Sequence, residues 1–306
     1  MVTLPRDEDD VVLTRGRQRV QLTNLRKVYW PERRYTKRDL LQYYADIAPV
    51  LLPHLKDRAM VMKRFPNGIH GKWFFMKRTP EGAPAWLKTC SITHAEGNVI
   101  AYPMVQDLLS LLWVVNLGCI DLNPWYSRCD DTDRPDYLHF DLDPGEGTGF
   151  SRVLESALIL REGLESVGMK PLAKTSGASG LHVYVALKRG PTQRTVWTVA
   201  KTMALEIAGR HPRLMTTKFR VADRPRGTVL IDYNQNQWGR TLASVYSVRP
   251  TVEASVSTPL TWAEVGKGVA VRDHRIDNLA ARVRRRGDLW SPMLARQGRF
   301  DLSRVG

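Results

Sequence analysis

His139-Phe140-Asp141-Leu142-Asp143-Pro144-Gly145-Glu146-Gly147 sets two aspartates one residue apart inside a run that otherwise reads as a buried strand. Side chains alternate faces along a strand, so Asp141 and Asp143 project to one side while Phe140 and Leu142 enter the core. Two carboxylates held that close repel, and one is driven toward its protonated form unless a cation lies between them; a divalent metal is the natural occupant. Pro144-Gly145 then ends the strand. Taken alone, the pattern equally describes a strand end that carries surface acids into a turn. A calcium loop is excluded, because the sixth and twelfth positions counted from Asp141 hold Glu146 and Arg152 where Gly and an acidic ligand are needed.

A catalytic metal site wants a third carboxylate. Asp232 supplies one, 91 residues after Asp141, at the end of Thr228-Val229-Leu230-Ile231-Asp232 and again among apolar residues that would face the other way. Between the two strands, residues 151–167 carry a helical apolar stripe, and Lys174-Thr175-Ser176-Gly177-Ala178-Ser179-Gly180 leads into a strand over 181–187 with His182 and Tyr184 on one face. A turn rich in Gly and Ser offers backbone N–H groups and hydroxyls to phosphate oxygens, with Lys174 beside it. A lone strand His is more often structural than a ligand, so His182 gains interest only from these neighbours. After Asp232, Gln235, Arg240 and Arg249 would sit near the acids if their loop folds back, and the two arginines there would stabilise a triphosphate.

Outward from this centre, 306 residues suffice for one large domain or two intimately packed ones. The charge is lopsided: 46 basic against 31 acidic residues give +15, which favours a polyanionic partner, nucleic acid before an anionic membrane. Cys90, Cys119 and Cys129 are odd in number and contain no CxxC pair, so neither a disulfide framework nor a zinc ribbon is expected and a reducing cytoplasm fits. The first ten residues are acidic and lack the apolar region of a secretory signal. The most apolar run, 108–120, is too short to span a bilayer and reads as a core element.

Residues 1–20 read as a loose arm or an edge strand. Thr36 with Asp39 three residues on starts an amphipathic helix with Leu40, Tyr44, Ile47 and Leu51 on one side, ending near Pro53. Trp73, Phe74 and Phe75 lie between Lys72 and Lys77-Arg78; rings among cations suit a nucleic-acid surface, although a strand could bury alternate rings instead. Residues 193–209 form another helix, and Arg284-Arg285-Arg286 falls on a solvated helical face. With no GxxxxGK[ST] sequence, P-loop phosphate binding is not expected.

Read together, HFDLDPGEG, KTSGASGLHVYV and IDYNQNQWGRT with YSVRP resemble, in order, the three motifs of the archaeo-eukaryotic primase superfamily, nearest to LigD-type polymerase modules and stand-alone bacterial primase-polymerases. The resemblance implies an α/β (α+β) fold: a catalytic core about 126–306, built on a sheet like that of an RNA-recognition module, packed against an N-terminal α/β part about 21–125. It implies template-directed nucleotidyl transfer that fills short gaps in DNA repair or end joining, with two Mn2+ (or Mg2+) ions and a taste for ribonucleotides. Asp141, Asp143 and Asp232 match the metal-binding triad, Ser176 and His182 the triphosphate ligands, and Gln235, Arg240 and Arg249 the nucleotide-lining positions. Lys27 and Lys37 correspond to a pocket for a downstream 5′-phosphate, and Arg64, Phe74 and Phe75 to residues near the template. Implied partners are gapped or end-containing DNA, nucleoside triphosphates and a separate ligase or end-binding protein, in a bacterial cytoplasm at the nucleoid, with no membrane. Three departures stand out: Asn123 where the family usually has His, Arg240 where Lys is common, and Val245 where Pro is frequent. Two rivals remain open, a primase that starts chains de novo and a non-catalytic nucleic-acid-binding scaffold for a repair ligase.

Overall fold

A computed structural model describes residues 2–95 and 97–305. Two compact units share the chain: the first takes the residues up to Asp130 with Ala243–Val256 and His274–Gly287, and the second takes Asp131–Leu242, Ser257–Asp273 and the chain from Asp288. The sequence places one boundary near 125 and does not show the two later returns. Non-local hydrogen bonds make the first return, where Ser244 N donates to Leu122 O, Leu122 N donates to Ser247 Oγ and the Tyr43 hydroxyl donates to Tyr246 O, and the Tyr35 hydroxyl donates to Asp277 Oδ2 in the second.

In the first unit, Val11–Arg15 and Gln18–Leu22 pair as a hairpin where an arm or edge strand is expected. Helix α1 (Lys37–Leu55) starts as its sequence dictates, with the Thr36 side chain accepting from Asp39 N and the Asp39 carboxylate accepting from Thr36 N. It continues two residues beyond Pro53, because Pro49 and Pro53 both lie on its exposed side, where water hydrates the carbonyls they leave unpaired. The apolar run 108–120 divides into α2 (Leu108–Asn116) and the first residues of a buried strand, Cys119–Pro124. Between them Gly118 adopts φ 82°, and an added Cβ would stand 3.1 Å from the Pro66 Cα, so only glycine makes this corner without strain. Phe74–Met76, Met60–Arg64 and Cys119–Pro124 form an antiparallel sheet in that order. Contrary to the expectation from spacing, Cys90 and Cys129 are joined in a disulfide with Cα atoms 5.8 Å apart. A bond from Cys129 N to Asp57 O draws the second cysteine toward the strand of the first, a pairing 39 residues apart that no local motif announces.

The second unit is built on one sheet, in the order Met215–Thr216, Val229–Asp232, Tyr137–Pro144, Leu181–Ala186, Pro171–Thr175, Pro259–Leu260, antiparallel except for the first pair. Two helices, α3 (Phe150–Ser166) and α4 (Gln193–Arg210), supply apolar residues to one core with Leu138, Phe140, Leu142, Val183, Val185, Val229 and Ile231. Each such fully buried side chain contributes about 1.5–3 kcal/mol, so the register of every strand is fixed by its apolar set. The alternate residues, His139, Asp141, His182, Tyr184 and Asp232, are thereby committed to the opposite face. Among the described residues no helix is long and apolar enough to cross a membrane.

Candidate active site

Asp141 and Asp232 are direct Cα partners across neighbouring antiparallel strands, and Asp141 also pairs with His182 on its other side. Residues directly opposite in such a ladder project to the same face with Cβ atoms about 5 Å apart. Asp143, two positions along, shares that face, and Leu142 and Ile231 between them are core residues. Asp232 accepts from Asn234 N at 2.8 Å and from Gln235 Nε2 at 2.9 Å, so the loop that follows the strand folds back on its last carboxylate. Burial raises the Asp232 pKa, and Asp141 raises it further, against the bonds from Gln235 and Asn234 and the nearby charge of Arg240.

Behind the aspartates lies a chain of polar groups. His182 Nε2 stands 3.2 Å from Asp141 Oδ1, and Lys174 Nζ is 2.7 Å from His182 Nδ1. An ammonium has no acceptor, so Lys174 donates to Nδ1 and the ring proton is assigned to Nε2, toward Asp141. Lys174 is only 1 % exposed; it also donates to Ser257 Oγ at 2.7 Å and lies 5.5 Å from the Tyr184 ring centroid. Its ammonium is thus held against His182. The Ser176 hydroxyl accepts from Ala178 N and Gly180 N, which closes the glycine turn on itself. That turn packs hard against the acidic strand: a Cβ on Gly180 would fall 2.3 Å from Leu142 O and 3.3 Å from Asp143 Oδ1.

The second unit therefore gathers Asp141, Asp143, Asp232, Lys174, Ser176, His182, Gln235 and Arg240. The other expected residues belong to the first unit. Arg249 Nε lies 3.2 Å from Asp121 Oδ2. Lys37, 4 % exposed, donates to Thr23 O at 2.7 Å, and exposed Lys27 donates to Asn67 Oδ1 at 2.7 Å. Burial, helped by the charge of Lys27, pulls the Lys37 pKa down to about 8. Arg64 donates to Leu117 O and covers the Phe74 ring at 5.2 Å. Trp73, Phe74 and Phe75 are all exposed, so the aromatic cluster is not a core strand. Strand alternation divides it, however: Phe74 pairs with Arg64 and Phe75 with Lys63, so the two phenyl rings leave opposite faces. Asn123 is buried and donates to Asp121 O, and Val245 is buried. Residues that the sequence did not single out are Ser257, Lys63 and Asp121; a lone acid inside the apolar run Ile120-Asp121-Leu122 is the signal that points to the last.

Among the described residues no three His, Cys, Asp or Glu side chains stand close enough together to hold a metal ion as they are. The donor set fits one nevertheless. Three carboxylates on one face are hard oxygen ligands suited to Mg2+ or Mn2+, and the repulsion by which Asp141 adds to burial in raising Asp232 is what a cation between them relieves.

Comparison with known proteins agrees with the motif resemblance. The family described as LigD, primase-polymerase domain, matches residues 36–290. The multifunctional non-homologous end joining protein LigD of Mycolicibacterium smegmatis is 33% identical over 278 residues, 90% of this chain and 36% of that protein. The bifunctional non-homologous end joining protein LigD of Bacillus subtilis is 27% identical over 270 residues, 88% of this chain and 43% of its own length. The chain thus spans less than half the length of these curated relatives. Among solved structures, the polymerase domain from Mycobacterium tuberculosis ligase D in complex with DNA superposes with a TM-score of 0.86 at 31% identity, covering 91% of this chain and 99% of that one.

Proposed function

The chain belongs to the LigD primase-polymerase domain family, and from that premise we propose that it is a template-directed nucleotidyltransferase that fills short gaps during DNA end joining, with a preference for ribonucleotides. The observation that carries the proposal is the cross-strand pairing of Asp141 with Asp232 on the sheet face that the apolar core leaves to polar residues.

Asp141, Asp143 and Asp232 would hold two divalent ions, Mn2+ or Mg2+, which when bound supply Lewis acidity toward a primer 3′-hydroxyl and the triphosphate. Gln235 keeps the Asp232 carboxylate turned to the site through its amide. Lys174 fixes the His182 ring so that its Nε2 proton points out toward Asp141, where a phosphate oxygen can share it. The Ser176–Gly180 turn brings small residues and backbone N–H groups close to the acidic strand. Arg240, and Arg249 by its match to the third motif, would neutralise charge that grows on the triphosphate as the 3′-oxygen attacks the α-phosphorus and pyrophosphate leaves. Lys27 and Lys37 take the 5′-phosphate of the downstream strand, and Arg64 with the exposed rings takes the template. The partners are gapped or end-containing DNA and a nucleoside triphosphate.

The test uses a primed gap, a bare single strand, manganese and nucleotides. Extension at the gap is expected, and Asp141→Ala with Asp143→Ala should abolish it while gapped-DNA binding persists. Dinucleotide products on the bare strand would favour a primase, and extension that survives the double substitution would refute the metal assignment.

A further inference from the structure

Asp232 is the last residue of the strand Val229–Asp232, and its pairing with Asp141 is the end of that ladder. Continuing the register would set His139 opposite Asn234, but the chain turns at Tyr233 (φ −85°, ψ −15°) into a short 3-10 helix, Asn234–Asn236. The side chain of Asn236 takes over the pairing that the strand gives up. Its Oδ1 accepts from His139 N at 3.1 Å and its Nδ2 donates to His139 O at 2.6 Å, so one primary amide makes both bonds that a neighbouring strand would make. The second Nδ2 hydrogen goes to Tyr233 O at 2.9 Å, which places both hydrogens of the amide and fixes its orientation. Asn236 is 1 % exposed. Helix α4 holds the same turn at two points: Gln193, also buried, donates through Nε2 to Asn236 O at 2.9 Å, and one helical turn on, Trp197 Nε1 donates to Asn234 Oδ1 at 3.2 Å. The turn so fixed is the one that brings Asn234 N to Asp232 Oδ1 and Gln235 Nε2 to Asp232 Oδ2.

We propose that Asn236 is a positioning residue for the metal site: its amide, seated by Gln193, ties the strand of Asp141 to the turn that aims Asp232, and so sets the affinity of the paired carboxylates for a divalent cation. The inference rests on the reading of Asp141, Asp143 and Asp232 as metal ligands. The bonds that hold the turn begin on His139, two residues before Asp141 in the same strand, so the two carboxylates share one frame although they come from strands far apart in the sequence. The residue type is specific. An aspartate at 236 has no hydrogen for His139 O or Tyr233 O, an alanine has neither donor nor acceptor, and the extra methylene of a glutamine has no room in a place this buried. Without the amide, the His139 N–H and carbonyl lose their bonds to the turn, the turn swings on Tyr233, and Gln235 leaves the Asp232 carboxylate. Groups that orient a metal ligand from outside the coordination sphere change metal affinity by about 10- to 100-fold when they are removed.

The experiment titrates Mn2+ into the full chain without nucleotide or turnover and follows the free ion by its electron paramagnetic resonance signal, with melting temperature and gapped-duplex affinity measured beside it. Asn236→Ala should raise the Mn2+ dissociation constant about 10- to 100-fold and leave duplex affinity unchanged, and saturating Mn2+ should bring kcat for extension back to within about threefold of the parent. Asn236→Asp, which keeps only the acceptor, should weaken Mn2+ binding as well. Gln193→Met removes one bond to the turn and leaves the amide in place, so it should raise the constant by about 2- to 10-fold, the equivalent of one net hydrogen bond. A role in folding alone would lower the melting temperature of Asn236→Ala and keep its Mn2+ constant at the parental value, and that result overturns the proposal. Should Asn236→Ala not fold, Gln193→Met decides: a raised constant supports the positioning role, and a parental one overturns it. Asp232→Asn separates the two levels. If it leaves the Mn2+ constant unchanged, or the parent takes up no Mn2+, the metal reading fails and this inference with it; if it weakens Mn2+ binding while Asn236→Ala does not, only the positioning role fails.

Discussion

Raising the pH through about 8 should cost the protein its preference for a gap whose downstream strand carries a 5′-phosphate. Lys37 is nearly inaccessible and its ammonium donates to the Thr23 carbonyl; burial first, then like charge from Lys27 and Arg64, lowers the pKa to about 8 against the opposing pull of Asp10 and Asp9. Above that value each pH unit removes about nine-tenths of the charged form, and the dissociation constant for a ligand that needs the charge rises about tenfold, or about 1.4 kcal/mol. A 5′-phosphate, with its second pKa at about 6, stays dianionic throughout, so the change belongs to the lysine. Fold stability moves the other way. The unfolded lysine keeps its proton up to about 10.4, so between about 8 and 10.4 the unfolded state binds more protons and the native state gains stability as pH rises, by an amount on the order of 3 kcal/mol. Weaker binding in that window is therefore not unfolding. Fluorescence anisotropy on gapped duplexes with a 5′-phosphate or a 5′-hydroxyl, at constant ionic strength, gives the ratio of the two dissociation constants. The 5′-hydroxyl constant divided by the 5′-phosphate constant should fall from about pH 8 upward and should be small and flat in Lys37→Met. A ratio that is the same at about pH 7 and about pH 9, or a slope that survives Lys37→Met, would refute the assignment of Lys37 to the phosphate.

Three further outcomes follow from the geometry. Gly180→Ala drives a methyl to within 2.3 Å of Leu142 O, so the turn must leave the acidic strand; a loss of about 1–3 kcal/mol in denaturant unfolding and at least about a tenfold drop in single-turnover extension are expected, and normal extension would show that the close approach is dispensable. Lys174→Met leaves His182 Nδ1 without its donor and frees the ring tautomer, so extension should slow about 10- to 100-fold; Lys174→Arg should not rescue it, since a planar fork does not fit the place of a fully buried point charge. Thiol labelling of the denatured, unreduced protein should find Cys119 alone, and Cys90→Ser should destabilise by about 2–4 kcal/mol in the absence of reductant and by much less in its presence; three labelled thiols would contradict the bridge.

What could be read from the sequence had short-range causes. The alternation of Asp141 and Asp143 with Phe140 and Leu142 follows from the two-residue period of a strand, and the Thr36–Asp39 cap and the close turn at Gly180 are each encoded within a few positions. What could not be read is pairing at long range. The Asp141–Asp232 register depends on which strands become neighbours, the return of residues 243–256 to the first unit depends on hydrogen bonds to Leu122 and Tyr43, and the Cys90–Cys129 bridge depends on where Cys129 is carried. Lys174 shows the same limit for a side chain. Beside a Gly and Ser rich turn it reads as a phosphate ligand, and its burial against His182 and Ser257, the latter 83 residues away, is set by pairing at long range.

The aromatic cluster had a local answer within reach. Adjacent residues in a strand cannot share a face, so Phe74 and Phe75 were bound to separate once they lay in one strand, and their partners Arg64 and Lys63 separate with them. Each face then carries one cation on an aromatic ring, Arg64 over Phe74 and Lys63 over Trp73. The two faces differ in what stands behind the cation: Arg64 is anchored by an uncharged carbonyl, that of Leu117, whereas Lys63 lies opposite the buried carboxylate of Asp121. A charge anchored by a carbonyl can be replaced by lysine with modest loss, while one balanced against a carboxylate shared with Arg249 cannot be altered alone. Arg64→Lys should accordingly weaken template binding without touching the nucleotide KM, and any shift in that KM would show that the two faces are not independent.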